Sequence, residues 1–166
     1  NVINMPDFKG YISDLGGPSA NMYKMQGKDL SICEKCKRPS CIHPSVCNNL
    51  NTDHGPLLDI YKSVDSKKGI KKSFIGSGVR YDMLLHKSKD NTTNKNAEKY
   101  MSELILNHVS GRLKVAPEHT SDKTLSMMRK PSFDNFRKFK NIFERLNKEH
   151  GINQQLIPYF ISSHPG

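Results

Sequence analysis

Cys33, Cys36, Cys41 and Cys47 stand in the order C-x2-C-x4-C-x5-C, and the chain has no other cysteine. Thiolates this close can converge on one soft metal, and the x2 interval lets two sulfurs point the same way from a tight turn. Zinc and an iron-sulfur cluster both accept four thiolates, so the spacing leaves the metal open. A pair of disulfides would require an oxidising compartment, and no apolar export segment is seen. His43 lies inside the cluster and reads as a solvated loop histidine. Between Lys24 and Asn51 large apolar residues are few, so this stretch needs a staple to order it, which thiolate-bound zinc would supply.

The remaining chemistry lies at the ends of strand-like segments. Strands are expected at Gly10 to Asp14, Ser73 to Ser77, Arg112 to Ala116 and Gln155 to Ser162, alternating with helical segments as in a parallel sheet. Right-handed crossovers place every strand's C-terminal end on one side, where the loops of α/β folds form sites. That side would carry Asp14, Gly16, Gly17, Ser19 and Asn21, then Ser77, Arg80, Tyr81 and Asp82, then Glu118 and His119, then Ser162, Ser163 and His164. Each has a plainer role too: Gly16-Gly17-Pro18 as a turn, Arg80 with Asp82 as an ion pair, Glu118-His119 as a helix cap. Their common placement favours a site.

The helices position these ends. Leu57, Tyr61 and Val64 mark one helix that starts near Asp53 and Pro56 and stops by Gly69. Ala97, Met101, Leu104, Ile105 and Val109 form the stripe of a second, ending at Gly111, after an apolar-free stretch from Lys87 to Asn96 that reads as an exposed loop. The third is capped by Ser132, keeps Phe133, Phe136, Phe139, Phe143 and Leu146 at helical spacing, and stops at Gly151. That aromatic stripe reads as core. Pro158 removes one ladder donor from the last strand, which implies a bulge or an unpaired edge.

The 166 residues carry a net charge of +10, which favours acidic partners such as nucleic acid or phosphorylated cofactors without specifying one. The basic clusters at 67–72 and 129–140 read as solvated helix faces and turns. No apolar run approaches membrane-spanning length, so no membrane partner is expected, and a cytoplasmic setting fits. The chain begins without methionine and ends just after a strand, which reads as a part of a longer polypeptide.

Several ordered blocks carry a resemblance. They are Ile12-Ser-Asp-Leu-Gly-Gly-Pro-Ser-Ala-Asn-Met-Tyr23, Ser40-Cys-Ile-His-Pro-Ser-Val-Cys47, Asn51-Thr-Asp-His54, Gly76-Ser-Gly-Val-Arg-Tyr-Asp82, Val115-Ala-Pro-Glu-His-Thr120 and Ile157 through Gly166. Together they resemble the YgiQ-type (UPF0313) radical S-adenosylmethionine proteins across essentially the whole chain. The resemblance implies an α/β fold, a partial TIM-type (βα) barrel with parallel strands and crossover helices. Residues 1–166 would be the central part of that barrel domain, with 24–52 as a Cys-rich insertion. It also implies a full-length enzyme that binds a [4Fe-4S] cluster and cleaves S-adenosylmethionine to a 5′-deoxyadenosyl radical. The cluster motif of such enzymes, C-x3-C-x2-C, is absent here, so those ligands are expected in a preceding part and this chain alone is expected to be inactive.

Carried onto this sequence, the resemblance makes Gly16 and Gly17 the pair that receives the amino-acid end of S-adenosylmethionine. Glu118 becomes a ribose-hydroxyl acceptor, and His164-Pro165 the segment that borders the adenine. Ser77 belongs to the same wall, and the Arg80 fork suits a carboxylate or phosphate. The substrate stays open, with nucleic acid one candidate class, as does the oligomeric state. A competing class is a basic, zinc-stapled RNA-binding module, which would not gather Asp14, Asp82 and Glu118 on its binding face.

Overall fold

A computed structural model describes residues 2–17 and 19–163. A 3₁₀ turn at Val2–Asn4 precedes β1 (Tyr11–Ile12), the short α1 (Leu30–Glu34), α2 (Gly55–Asp65) and β2 (Lys72–Ser73). Then come α3 (Tyr81–Leu85), α4 (Asn91–Glu103) with a π-helical continuation at Leu104–His108, β3 (Arg112–Glu118), α5 (Asp122–Met127), α6 (Phe133–Glu149) and β4 (Gln155–Phe160). The architecture is mixed α/β with parallel strand pairs and no closed barrel among the described residues.

The four expected strands are all present, yet they form two parallel pairs, β1 with β2 and β3 with β4, rather than one ladder. The first pair is shorter than expected. Past Ile12 and Ser73 one more backbone bond, Leu15 N to the Phe74 carbonyl at 2.7 Å, joins the two segments, and beyond it the Asp14 carboxylate accepts from Gly16 N and Gly76 N. Single backbone bonds, Ile75 N to the His108 carbonyl at 2.8 Å and Val79 N to the Lys114 carbonyl at 3.4 Å, run between the two pairs. In the second pair Val115 faces Pro158 and the register shifts before Glu118, as the missing proline donor demands. β4 is largely exposed, with Tyr159, Phe160 and Ile161 open to solvent.

Three helices supply most of the core. On α6 Phe136, Phe139, Phe143 and Leu146 are buried, the Ser132 hydroxyl caps the first turn by accepting from Asp134 N, and Gly151 adopts φ +63° just past the end. Leu57 and Tyr61 of α2 and the stripe from Ala97 to Val109 are buried as their spacing predicts. The segment Lys87 to Asn96 differs from expectation: α4 already begins at Asn91, because the Asp90 carboxylate accepts from the N–H groups of Thr92 and Thr93. A polar first turn held by a cap gives no apolar period to read.

Buried polar groups tie the helices together. The Tyr61 and Tyr100 hydroxyls bond to each other at 2.9 Å, and His54 packs 5.0 Å from the Tyr100 ring. Asn21, wholly buried, donates to His54 Nε2, so the imidazole is neutral with its hydrogen on Nδ1. Burial pushes the His54 pKa down from 6.5 to about 4.

Two outcomes follow. The unfolded chain takes up a proton on His54 below pH 6.5 and the folded chain does not until about pH 4, so stability falls on acidification across that window. The loss is about 3 kcal/mol from this group, and urea unfolding as a function of pH should show a shallower slope in H54Q. Truncating the fully buried Phe139 in F139A should destabilise the chain by about 3–5 kcal/mol in the same assay.

Candidate functional site

The loops that leave β1 and β2 are joined by one carboxylate. Asp14 Oδ1 accepts from Gly16 N at 2.9 Å and from Gly76 N at 3.1 Å, while Oδ2 accepts from the Ser77 hydroxyl. Burial opposes ionisation of Asp14, but the Ser77 hydroxyl and these backbone donors outweigh it and hold its pKa below the usual carboxylate range. Gly16 is needed for closeness: a Cβ there would lie 2.9 Å from the Ala20 methyl and 3.0 Å from Asp14 Oδ1. Gly17 is open, with nothing within 4 Å of where its Cβ would stand, so its backbone is free to meet a ligand.

An open cavity of about 610 Å³ begins at this junction and is walled by Asp14, Ser19, Gly76 to Arg80, Lys114 to Ala116, Lys130 and Tyr159. It therefore collects residues that follow β1 and β2 and residues within β3 and β4. Arg80 is oriented by Asp82, donating from Nε at 2.8 Å and from one terminal nitrogen, which leaves its other terminal nitrogen uncommitted. The hydrogen bonds it donates to Asp82 raise the Arg80 pKa further, so the fork is always charged. The Arg80 backbone is fixed by Asn21, whose side-chain oxygen accepts from Arg80 N at 2.7 Å and whose amide donates to the Arg80 carbonyl.

Glu118 ends β3 with φ +67°, a left-handed conformation that a non-glycine residue adopts only when its surroundings enforce it. Here the Glu118 carbonyl accepts from Ile161 N, and its carboxylate accepts from Lys130 Nζ at 2.8 Å. Arg80 and Lys130 also face a second cavity, of about 600 Å³, between the loop Ile42–Val46 and helices α5 and α6. Lys87 and Arg129 line it as well, together with the acids Asp82 and Asp122.

Of the expected site residues, Ser77 and Arg80 line the strand-end cavity and Gly16 lies against Ser77, whereas Gly17 and Glu118 are not part of its wall, Glu118 reaching it only through Lys130. His164 and Pro165 lie outside the described residues. His119, Ser162 and Ser163 do not line this cavity, and Tyr81 and Asn21 are turned to other uses. Tyr81 is in the core, stacked 5.8 Å from Phe139, and Asn21 is a buried brace rather than a lining group. Sequence reasoning missed Lys114, Lys130 and Tyr159. The alternation of Arg112-Leu113-Lys114-Val115, exposed and buried in turn, is the signal that could have found Lys114.

The cysteine segment is closed at its base by an antiparallel bridge, Gly27 to Leu50, with Lys28 N donating to the Asn49 carbonyl and Asn51 N to the Gln26 carbonyl. Its apolar residues Leu30 and Ile32 are exposed, as its composition implies. All four cysteines are free thiols around one cavity of about 170 Å³. Asn49 Nδ2 donates to Cys33 Sγ at 3.3 Å and Arg38 N to Cys36 Sγ at 3.4 Å, bonds that suit thiolates. No three of these sulfurs lie within 4.8 Å of one another, wider than the edge of about 3.8 Å in a tetrahedral zinc-thiolate site, so the loop would contract on metal binding.

Among the described residues no helix is long and apolar enough to cross a membrane. No family model matches the chain, and no solved structure matches it. A UPF0313 protein of Bacteroides thetaiotaomicron is 73% identical over 165 residues, 99% of this chain and 27% of that protein. A UPF0313 protein of Porphyromonas gingivalis is 65% identical over 165 residues, 26% of its length, and one of Pseudomonas syringae pv. tomato is 46% identical over 162 residues, 20% of its length. The chain therefore spans between a fifth and about a quarter of these curated relatives. This chain belongs to the UPF0313 protein family.

Proposed function

We propose that this chain is the S-adenosylmethionine-binding part of a radical S-adenosylmethionine enzyme with a partial TIM-type barrel. The observation that carries the reading is a cavity to which all four strands or the loops after them contribute, with Asp14 linking the loops after β1 and β2. The open backbone at Gly17 and the acceptor Asp14 suit the amino-acid end of the cofactor, and the uncommitted nitrogen of Arg80 suits its carboxylate. Glu118 keeps one carboxylate oxygen beyond the Lys130 bond for a ribose hydroxyl. In the full-length enzyme of this reading, a [4Fe-4S] cluster would supply the electron for cleavage of the cofactor. Its C-x3-C-x2-C ligands do not occur in this chain, so in this reading they belong to the remainder of the longer protein. The exposed apolar residues of β4 fit a partial barrel whose neighbouring elements lie outside the chain.

An RNA-binding module explains the charge of +10 but not the acids at the cavity, since Asp14 walls it and Asp82 and Glu118 hold its two principal cations. The four cysteines serve a separate purpose in this reading. A closed shell of thiolates leaves no position for catalysis, so zinc there would order residues 24–52, of which Ile42 to Val46 line the second cavity.

The full-length protein, reconstituted anaerobically with iron and sulfide, should bind S-adenosylmethionine and release 5′-deoxyadenosine. D14A should weaken cofactor binding about tenfold or more by calorimetry, because it removes the acceptor that holds both loops. A cofactor affinity unchanged by D14A would remove this cavity as the binding site. For the cysteines, elemental analysis should show about one zinc fewer per chain in the double variant C33S/C36S than in the parent. Four freely reactive thiols in the folded, unaltered protein would overturn the staple.

A further inference from the structure

His108 is the most deeply buried imidazole that the cavity does not use, and it sits where the π-helical turn delivers it. Its exposure is 0%, and its Nε2 has no hydrogen-bond partner although it is fully enclosed. The other ring nitrogen is accounted for: Nδ1 donates to the Ser73 carbonyl at 2.9 Å. That bond fixes the tautomer, leaving a lone pair on Nε2. The lone pair faces two carboxylates, Glu103 Oε1 at 3.4 Å and Asp65 Oδ2 at 3.7 Å, and neither makes a hydrogen bond with it.

A lone pair directed at two anions is unfavourable unless a cation lies between them. A protonated imidazole is one answer, but it would hold its N–H along a carboxylate oxygen, which the geometry lacks. A metal ion is the other. Ligands about 2.0–2.1 Å from a tetrahedral zinc lie about 3.3–3.4 Å from each other, close to the two observed separations from Nε2. The three ligand atoms lie within 4.8 Å of one another, and both carboxylates are partly exposed, so they can close and an ion can enter from solvent.

The surroundings are built for ligation. Buried Ser73 accepts the His108 Nδ1 hydrogen on its carbonyl and donates its hydroxyl to Asp65 Oδ1 at 2.6 Å, so one residue orients two ligands from behind. Tyr61 packs 4.5 Å from the His108 ring and limits its rotation. The π-helix at Leu104–His108 brings Glu103 and His108, five residues apart, to one point, which the α-helical period would not.

We propose that Asp65, Glu103 and His108 form a binding site for one divalent transition-metal ion of the zinc class, with a fourth position left to water. It is distinct from the strand-end cavity: His108 is level with Ser73 and Ile75, whereas the cavity walls begin at Gly76 and Lys114, further along both segments. One ion here would tie the end of α2 to the end of α4 and to β2, a structural clamp with an exchangeable water.

The test is a difference measurement on the full-length protein, stripped with chelator and titrated with zinc against a chromophoric chelator. Relative to the parent, E103Q and H108Q should each weaken one zinc equivalent at least tenfold while leaving the remaining equivalents unchanged. E103Q alters a partly exposed side chain and keeps the test valid if H108Q unfolds. Cobalt in place of zinc should give a parent-minus-E103Q spectrum with ligand-field bands but no thiolate-to-cobalt charge transfer, which separates this site from the cysteines. Equal zinc stoichiometry and affinity in parent and E103Q, or a difference spectrum with thiolate character, would overturn the proposal.

Discussion

The Asp14 carboxylate is the joint on which the strand-end face depends. Parallel strands cannot be closed by a tight turn, so β1 and β2 are brought together only after the cysteine segment and α2 have been threaded between them. Their ladder is just two residues long on each side. Beyond it the backbone bond from Leu15 N to the Phe74 carbonyl and then a side chain continue the joint, Asp14 bonding across 62 residues to Gly76 N and across 63 to the Ser77 hydroxyl. Asp14, Gly76 and Ser77 all line the strand-end cavity, so this joint is also part of its wall. The same bonds hold Asp14 ionised, so the joint is strongest when it carries charge.

The cations of the cavity are held by acids that point away from it or lie behind them. Asp82 grips Arg80 through two nitrogens, and Glu118 grips Lys130 from a strained backbone position. Pairing of this kind restrains long side chains that would otherwise lose several rotamers on ligand binding, which favours recognition of a charged ligand over general attraction. Buried Asn21 serves the same end more deeply. By bonding both the N–H and the carbonyl of Arg80 it fixes the turn from which the guanidinium projects, and by donating to His54 it couples that turn to the helix core.

That core separates two polar regions of different character. On one side lies the wide, partly solvated cavity of the strand ends; on the other, the enclosed imidazole of His108 between Asp65 and Glu103. Ser73 and the backbone bond from Ile75 to His108 connect them through β2. The cysteine segment belongs to neither, since it is joined at its base by the Gly27 to Leu50 bridge and buries little beyond Leu50.

Local order was legible in the residues themselves, because it depends on periodicity and caps. The Phe136, Phe139 and Phe143 stripe, the four strands, the stop at Gly151 and the thiol spacing all follow from neighbours within a few positions. So did the gathering of Gly16, Ser77 and Arg80, since in a parallel pattern the loops after strands share a side. Only the tertiary structure decided the rest. The first turn of α4 rests on Asp90 rather than on apolar residues, and α3 and α5 are too short to show a period. Tyr81, in a segment read as site wall, turns inward because Phe136 and Phe139, more than fifty residues later, offer it a ring stack. Asp65, Glu103 and His108 meet for a comparable reason: packing of α2 against α4 and one wider helical turn set their distances, and no spacing along the chain encodes a contact made by folding.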